Sequence, residues 1–595
     1  MINKRLELLR SQMQTRQIDA VIFPSNDPHQ SEYVADYWKI RAYFSGFSGS
    51  AGTLVVSQKD AALWTDSRYF LQVESQCAGT DVQLHKQTVP HAPEHVAWIC
   101  NSLKENAKLG IDFRLFSCSQ VDFIKEHAAS KNIALVDISA LVNEVWQDRP
   151  SGGNAPIVDH SIDICGESRT SKIETIREEL RNESANTYFV SSLDEIAWLF
   201  NIRSKDVDFT PLVTGYACIA EDSVVLFADA ERIESTLLSE LNQHGIEVQP
   251  YGDIISFLKQ QSSDLTVLTD PTSLNYACFD AISGTVQYKP SLIQHLKSVK
   301  NSVEIENAKD GMRKDGIALT RFFIWLEDYL QTQSISEYDL GIKLESFRKE
   351  MPLYTGQSFG CIVGYKGNGA IIHYSAPQEG SATIQNEGVL LIDSGAQYEN
   401  ATTDITRTIW LGGTPTDELK RAYTLVLKGY IELERMQFPA TVTGMQLDSF
   451  SRMHLWKHGL NFGHGTGHGI GAYSMVHEPG QGFASTGTTS RGTSTHKANQ
   501  LTTIEPGFYK EGAFGIRTEN IVVSKVVQKT EYGTFLGFEP ITLCYIDTQL
   551  LDRSLLTSSE ITWLNEYHKK VYTALSEELS VDEQKWLANK CAPTY

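Results

Sequence analysis

Acidic residues on both arms of an apolar hairpin are costly to bury, and the C-terminal half of this chain carries that arrangement twice. In GVLLIDSGAQYENATTDITRTIWLG, Asp393 ends an apolar run and Asp404 sits in a Thr-rich, strand-like run eleven positions later. A symmetric turn over residues 395–402 pairs the arms antiparallel and sets Asp393 directly opposite Asp404. Like charges facing each other across a ladder are destabilising, and one carboxylate would normally take up a proton. A bound divalent cation removes the conflict. In IEPGFYKEGAFGIRTENIVV the pattern recurs: Glu505 and Glu519 lie fourteen apart and symmetric about Gly512, with Glu511 and Gly512 as the turn. Glu519 lies among Ile516, Ile521 and Val522, where an unpaired acid is expensive, and Arg517 on the same face offsets part of its charge.

Between the two hairpins lies GHGTGHGIGAYSMVHEPG, with His464, His468 and His477 inside fourteen residues. Its glycines disfavour a regular helix and allow close backbone approach. Neutral imidazole is the usual nitrogen ligand of divalent metals. A fourth histidine, His373, ends the apolar run of GAIIHYS. Each residue taken singly has an ordinary reading: Asp393 as a turn residue, His373 as a satisfied core histidine, His464 and His468 as parts of a surface loop. Two opposed carboxylate pairs and four histidines together favour a two-metal carboxylate/histidine hydrolase site.

The chain has 595 residues. A single hydrophobic core rarely grows past ~250–300 residues, so several domains are expected. Short apolar runs at Ala20–Phe23, 52–56 and Ala61–Thr65 read as strands, and Ser67 as the cap of a helix through Leu71 and Val73. The stretch 148–159, with Pro150, Gly152, Gly153 and Pro156, breaks all periodicity and reads as a linker. The pattern then restarts, with a helix at 171–180, a strand at 186–190, a strand at 223–227 and a helix at 228–241. AALWTDSRYFLQV and SVVLFADAERIESTLL share a strand–acid–helix rhythm, which suggests a weak internal duplication. An amphipathic helix over Ser302–Leu330, with Ile305, Met312, Ile317, Leu319 and Phe322 as its apolar positions, opens the last domain. The Gly/Ser/Thr-rich stretch 478–500 reads as a surface loop, and the tail 558–588 as helical.

Composition narrows the class. Hydrophobic residues at 41% and charged residues at 21% are globular values. With 73 acidic against 52 basic side chains the net charge is -21, which excludes a generally basic nucleic-acid binder. No apolar run approaches the ~18–20 residues that span a bilayer, and charges interrupt the first ten residues too often for a secretion signal. Nine scattered cysteines, an odd number with no C-x-x-C pair, argue against a disulfide framework or zinc knot and for a reducing cytoplasm.

The order Asp393, Asp404, His468, Glu505, Glu519, in IDSGAQY, TTDITRT, HGTGHGIG, IEPGFY and GIRTEN, resembles the metal-binding pattern of the pita-bread metallopeptidases. Within them it is similar to the cytosolic, three-domain Xaa-Pro aminopeptidase (aminopeptidase P) branch. The likeness extends to GAIIHYSA, WTDSRYFLQ, DEIAWLFNIR and GFEPITLCYIDTQLLD, and so runs over nearly the whole chain.

The resemblance implies an α/β (α+β) architecture: two tandem creatinase-N-like α/β domains, 1–155 and 156–301, then a pita-bread catalytic domain, 302–595. It implies two divalent metal ions, usually Mn²⁺, on ligands that could also hold Zn²⁺ or Co²⁺. Asp404 would bridge the metals with Asp393 chelating one, or the reverse; Glu519 would bridge both, and His468 and Glu505 would complete one shell. It implies hydrolysis of the first peptide bond before a second-position proline by a hydroxide held between the metals. Glu505 would move the proton, and His373 and His477 would hydrogen-bond the substrate and the tetrahedral intermediate. His464, His468, Tyr509 and Arg517 would line the substrate site, and Arg68 in DSRYF would reach it from the first domain. The implied partners are peptides with proline second, with no nucleic acid or membrane, and the implied assembly is a homodimer. Two rivals stand beside this reading: a prolidase-like Xaa-Pro dipeptidase, and a metal-free pseudo-peptidase that only binds peptides.

Overall fold

The structure is a computed structural model that describes residues 1–88 and 92–595. Its contacts divide the chain into two compact units, Met1–Ser161 with Glu167–Ile293, and Ile162–Gly166 with Gln294–Tyr595.

The first unit holds two six-stranded sheets. The first is built from β1 (Ala20–Phe23), β2 (Thr53–Ser57), β3 (Ala61–Thr65), β4 (Val82–Lys86), β5 (Lys108–Ile111) and β6 (Ala134–Asp137), in the order β4-β3-β2-β1-β5-β6. The second comprises β7 (Thr187–Val190), β8 (Tyr216–Ala220), β9 (Val224–Phe227), β10 (Ile246–Gln249), β11 (Thr266–Thr269) and β12 (Thr285–Tyr288), in the order β10-β9-β8-β7-β11-β12. Both have the same pairing senses: β1 runs antiparallel to β2 and parallel to β5, and β7 antiparallel to β8 and parallel to β11. The weak repeat in the sequence is therefore a repeat of topology. Central strands such as β1 and β9 are buried at every position, as expected where both faces of a sheet are covered.

Some local expectations are corrected. Ser67 lies in a turn, and the helix there starts at Phe70 with Tyr69 as its cap. The helix expected over 228–241 begins only at Ser235, after a 3₁₀ turn at Ala230–Arg232. The C-terminal helical tail is broken by a second 3₁₀ turn at Ser576–Glu578.

The second unit opens on α1 (Ser302–Leu330), where Asn301 and Glu304 form a capping box that satisfies the first free N–H groups. It continues with α2 (Glu337–Arg348), a three-stranded sheet of β13 (Ile362–Tyr365), β14 (Gly388–Ser394) and β15 (Ile405–Gly412), and α3 (Asp417–Glu434). A six-stranded sheet then gathers β16 (Phe438–Pro439), β17 (Gly467–Gly469), β18 (Glu478–Phe483), β19 (Leu501–Ile504), β22 (Asn520–Thr530) and β23 (Gly533–Pro540), ordered β16-β23-β22-β19-β17-β18. The hairpin β20 (Gly507–Lys510) and β21 (Phe514–Arg517) projects from the β19–β22 ladder. Apolar side chains of α3, β19, β22 and the C-terminal helices form one core beneath these strands.

Segment 478–500 is only in part the surface loop its composition suggests: its middle is largely exposed, and its ends are not. Its first six residues are β18, and Glu478, Gln481, Phe483, His496 and Gln500 are buried. Glu478 accepts from Lys297 Nζ at 3.1 Å and Lys300 Nζ at 2.6 Å, with all three side chains buried.

Candidate metal centre

Two hairpins deliver four carboxylates. Asp393 lies near the end of β14, and Asp404 immediately precedes β15. The chain turns at Glu399 and Asn400, inside the ladder Gln397↔Thr402 and Tyr398↔Ala401. That centre is one residue later than a symmetric 395–402 turn, so Asp393 opposes Thr406 and not Asp404. Asp404 lies two residues along from Thr406, which keeps it on the same face of the pleat as Asp393.

The second hairpin has the expected register. Ile504↔Asn520 on β19–β22 and Gly507↔Arg517 on β20–β21 belong to one alignment, so Glu505 and Glu519 oppose each other about Gly512. Gly512 has φ +69°, the left-handed conformation a tight turn uses and side chains resist.

His468 completes the cluster. A Cβ on the preceding Gly467 would overlap the Thr503 carbonyl, so glycine is what lets β17 lie this close to β19. His468 Nδ1 lies 2.9 Å from the Gly469 carbonyl, which can only accept, so Nδ1 carries the proton. The Nε2 lone pair then faces Asp404 Oδ2 at 3.4 Å and Glu505 Oε1 at 3.6 Å. Lone pairs opposed in this way require a shared proton or a cation. Ligand atoms of Asp404, His468 and Glu519 all lie within 4.8 Å of one another.

Two further observations fit a cation here. Asp393 Oδ1 is buried and has no hydrogen-bond partner. Burial and the charges of Glu519, Asp393 and Glu505 hold the Asp404 carboxyl well above its ordinary range; burial, Glu505 and Asp393 do the same to Glu519. This donor set of carboxylates and imidazole suits Mn²⁺, Zn²⁺ or Co²⁺. A second grouping, Glu432, His454 and Glu560, differs in kind: Lys428 Nζ contacts both Glu560 oxygens at 2.8 and 2.7 Å, so that site already contains its own cation.

The flanking residues form a connected chain. Arg517, 1% exposed, donates from Nη2 to Asp393 Oδ2 at 2.5 Å and from Nη1 to the Tyr509 phenol at 2.7 Å. His464 Nε2 lies 2.8 Å from the same phenol. Burial opposes the Arg517 charge, but Tyr509, Asp393, Glu505 and Glu519 around it hold its pKa well above normal. Burial pushes the Tyr509 phenol up to about 12, with Arg517 pulling the other way. The His477 ring packs edge-on against His468, 4.3 Å between centroids. His373 sits in a turn whose preceding carbonyl, on Ile372, accepts from Arg517 Nη2 at 3.5 Å. Arg68 belongs to the N-terminal unit, where Asp66 holds its guanidinium through two bonds of 2.7 Å.

Thr406 and Arg407 were not singled out from the sequence. Thr406 Oγ1 donates to Glu519 Oε2 at 2.7 Å and accepts from Arg517 Nε at 3.2 Å. Arg407 donates to the carbonyls of Thr406, Glu519, Cys544 and Tyr545, tying both carboxylate-bearing hairpins to the segment before the C-terminal helices. The signal for Thr406 was its spacing of two from Asp404 in a strand, which puts both on one face.

Acids from two hairpins converging on an imidazole whose Nε2 faces two of their carboxylates define a metal-dependent hydrolase. Comparison with known proteins narrows this. Residues 306–525 match the metallopeptidase family M24 and 534–594 the C-terminal region of peptidase M24; residues 5–145 and 148–304 each match a creatinase/prolidase N-terminal domain. The chain belongs to metallopeptidase family M24, in its form with two creatinase N-terminal domains ahead of a pita-bread catalytic domain. Among its relatives, a probable Xaa-Pro aminopeptidase P of Laccaria bicolor is 38% identical over 99% of this chain and 93% of its own length. Aminopeptidase P1 of Arabidopsis thaliana is 35% identical over 99% of both chains. The crystal structure of X-prolyl aminopeptidase from Caenorhabditis elegans, described as a cytosolic enzyme with a di-nuclear active site, superposes with a TM-score of 0.93 at 33% identity over 100% of both chains.

Proposed function

We propose that this chain is an Xaa-Pro aminopeptidase with a dinuclear metal site, releasing the first residue from peptides whose second residue is proline. The observation that carries this is the cluster of Asp404, His468 and Glu519 within 4.8 Å, beside the unpartnered Asp393 Oδ1. Asp393, Asp404, His468, Glu505 and Glu519 would hold two divalent ions, Mn²⁺ by our reading. When bound, the ions supply an activated water and polarise the scissile carbonyl.

The side chains do the rest. Glu505 takes a proton on its carboxylate and returns it to the proline nitrogen as that nitrogen leaves. His373 and His477 hydrogen-bond the peptide and the oxyanion that develops on its carbonyl. Proline offers no N–H and a fixed φ, so recognition rests on a shaped pocket, which we assign to His464, Tyr509 and Arg517. The domains run 1–155, 156–301 and 302–595, and the enzyme is a cytoplasmic homodimer. Two facts accompany the location: all nine cysteines are free, and among the described residues no helix is long and apolar enough to cross a membrane.

Matched tripeptides with proline or alanine in the second position test the proposal. Turnover of the proline peptide alone is expected; equal turnover of both would refute the assigned specificity.

A further inference from the structure

One buried carboxylate outside the metal centre is surrounded by neutral donors only. Glu337, in the first turn of α2, is 0% exposed and has no ion-pair partner among the described residues. It accepts from the Tyr365 N–H at 2.8 Å, from Asn368 Nδ2 at 3.0 Å on both oxygens, from the Tyr374 phenol at 2.8 Å and from the Ala382 N–H at 3.0 Å. Its own N–H donates to the Ala382 carbonyl at 3.0 Å. A buried acceptor left without its donors is costly, so these bonds hold the groups that make them in place.

All of these donors come from residues 365–382. Past the 3₁₀ turn Lys366–Ala370 that segment has no helix or strand until Thr383–Ile384. His373 lies in its middle, and both its neighbours are tied. The Ile372 carbonyl before it accepts from Arg517 Nη2 at 3.5 Å, and the Tyr374 phenol after it donates to Glu337. Asn368 Nδ2 also donates to the Tyr374 phenol at 3.1 Å, which closes a small network around the same acid. The segment is thus strung between the arginine of the metal centre and one buried glutamate.

We propose that Glu337 is a positioning residue that fixes the segment presenting His373 to the substrate. This rests on the reading of His373 as a substrate-contacting residue. Glu337 touches neither substrate nor metal; it acts through Tyr374 and the backbone on either side of the histidine.

The test is a double-mutant cycle on the Mn²⁺-loaded full chain with an Xaa-Pro-Xaa tripeptide. E337Q and Y374F are each made alone and combined with H373A. Y374F removes one hydroxyl and leaves Glu337 its other donors, so it stays informative should E337Q fold poorly. Misplacing a catalytic group by about 1 Å can cost ~10²-fold, so a loss of about tenfold for Y374F and about hundredfold for E337Q is expected, mainly in kcat. Metal content and the Y374F unfolding midpoint should match the parent. In the H373A background each further loss should shrink to less than about twofold, because the residues act as one unit. An impaired H373A on which Y374F and E337Q still impose their full losses would overturn the proposal alone. Wild-type turnover in H373A would overturn the reading of His373 and the proposal with it.

Discussion

Stripping the metal should reverse the sign of one contribution to the pH dependence of stability. In the metal-free protein, burial and neighbouring carboxylates hold Asp404 and Glu519 well above the ordinary carboxylate range. Unfolded, both titrate near pH ~4. Above that pH the folded protein binds more protons than the unfolded chain, so their contribution is full below pH ~4 and is lost as pH rises through the raised values. One such proton is worth about 1.4 kcal/mol per pH unit, and two set a ceiling of about 2.8. Bound cations hold the same carboxylates ionised, and the contribution then grows as pH rises from acid. Other groups complicate either curve alone: burial pushes His95, His496 and His568 down to about 4 and Glu434 up to about 7. They are common to both forms and cancel in the difference. The assay is urea unfolding of chelated and Mn²⁺-loaded protein from pH 5 to 8 at fixed free metal and ionic strength. The stability gap should widen with pH by about 1.4–2.8 kcal/mol per unit while the metal-free carboxyls keep their protons, and level off as they lose them. Parallel curves would refute the reasoning, as would an Asp404→Asn variant with an unchanged gap.

Three substitutions probe neighbouring parts of the account. Asp404→Ala removes a proposed ligand from a face already rich in negative charge, so turnover should vanish while the far-ultraviolet circular dichroism stays at the wild-type value. Thr406→Val deprives Glu519 and Arg517 of a shared hydroxyl; metal affinity should fall ~10–100-fold in a competition titration with a chelator, the range typical of groups that orient ligands. Glu478→Gln leaves Lys297 and Lys300 buried without their anion and should cost about 3–5 kcal/mol in urea unfolding. An unchanged midpoint would mean the lysines find other partners.

How much was legible in the sequence depended on how local the determinant was. Glu505 and Glu519 were aligned correctly because Gly512 marks its own turn through a positive φ. Asp393 and Asp404 were misaligned by two residues because the turn at Glu399 and Asn400 has no comparable marker. The helix from Ser302 to about Leu330 was readable because its apolar stripe lies within it. The start of segment 478–500 was misread because the partners that bury Glu478, Lys297 and Lys300, are distant in sequence and invisible to composition. Thr406, Arg407 and Glu337 act through partners up to 138 positions away, and only the fold supplies those.

The central claim is that ions held by Asp393, Asp404, His468, Glu505 and Glu519 drive cleavage before proline. The most direct measurement is hydrolysis of an Xaa-Pro-Xaa tripeptide and the matching Xaa-Pro dipeptide by chelated protein as Mn²⁺ is added back, with bound metal counted in parallel. The account predicts no turnover when chelated, recovery of tripeptide cleavage as occupancy rises to two ions per chain, and release of the first residue alone. Full activity in the chelated protein, or turnover confined to the dipeptide, would contradict it.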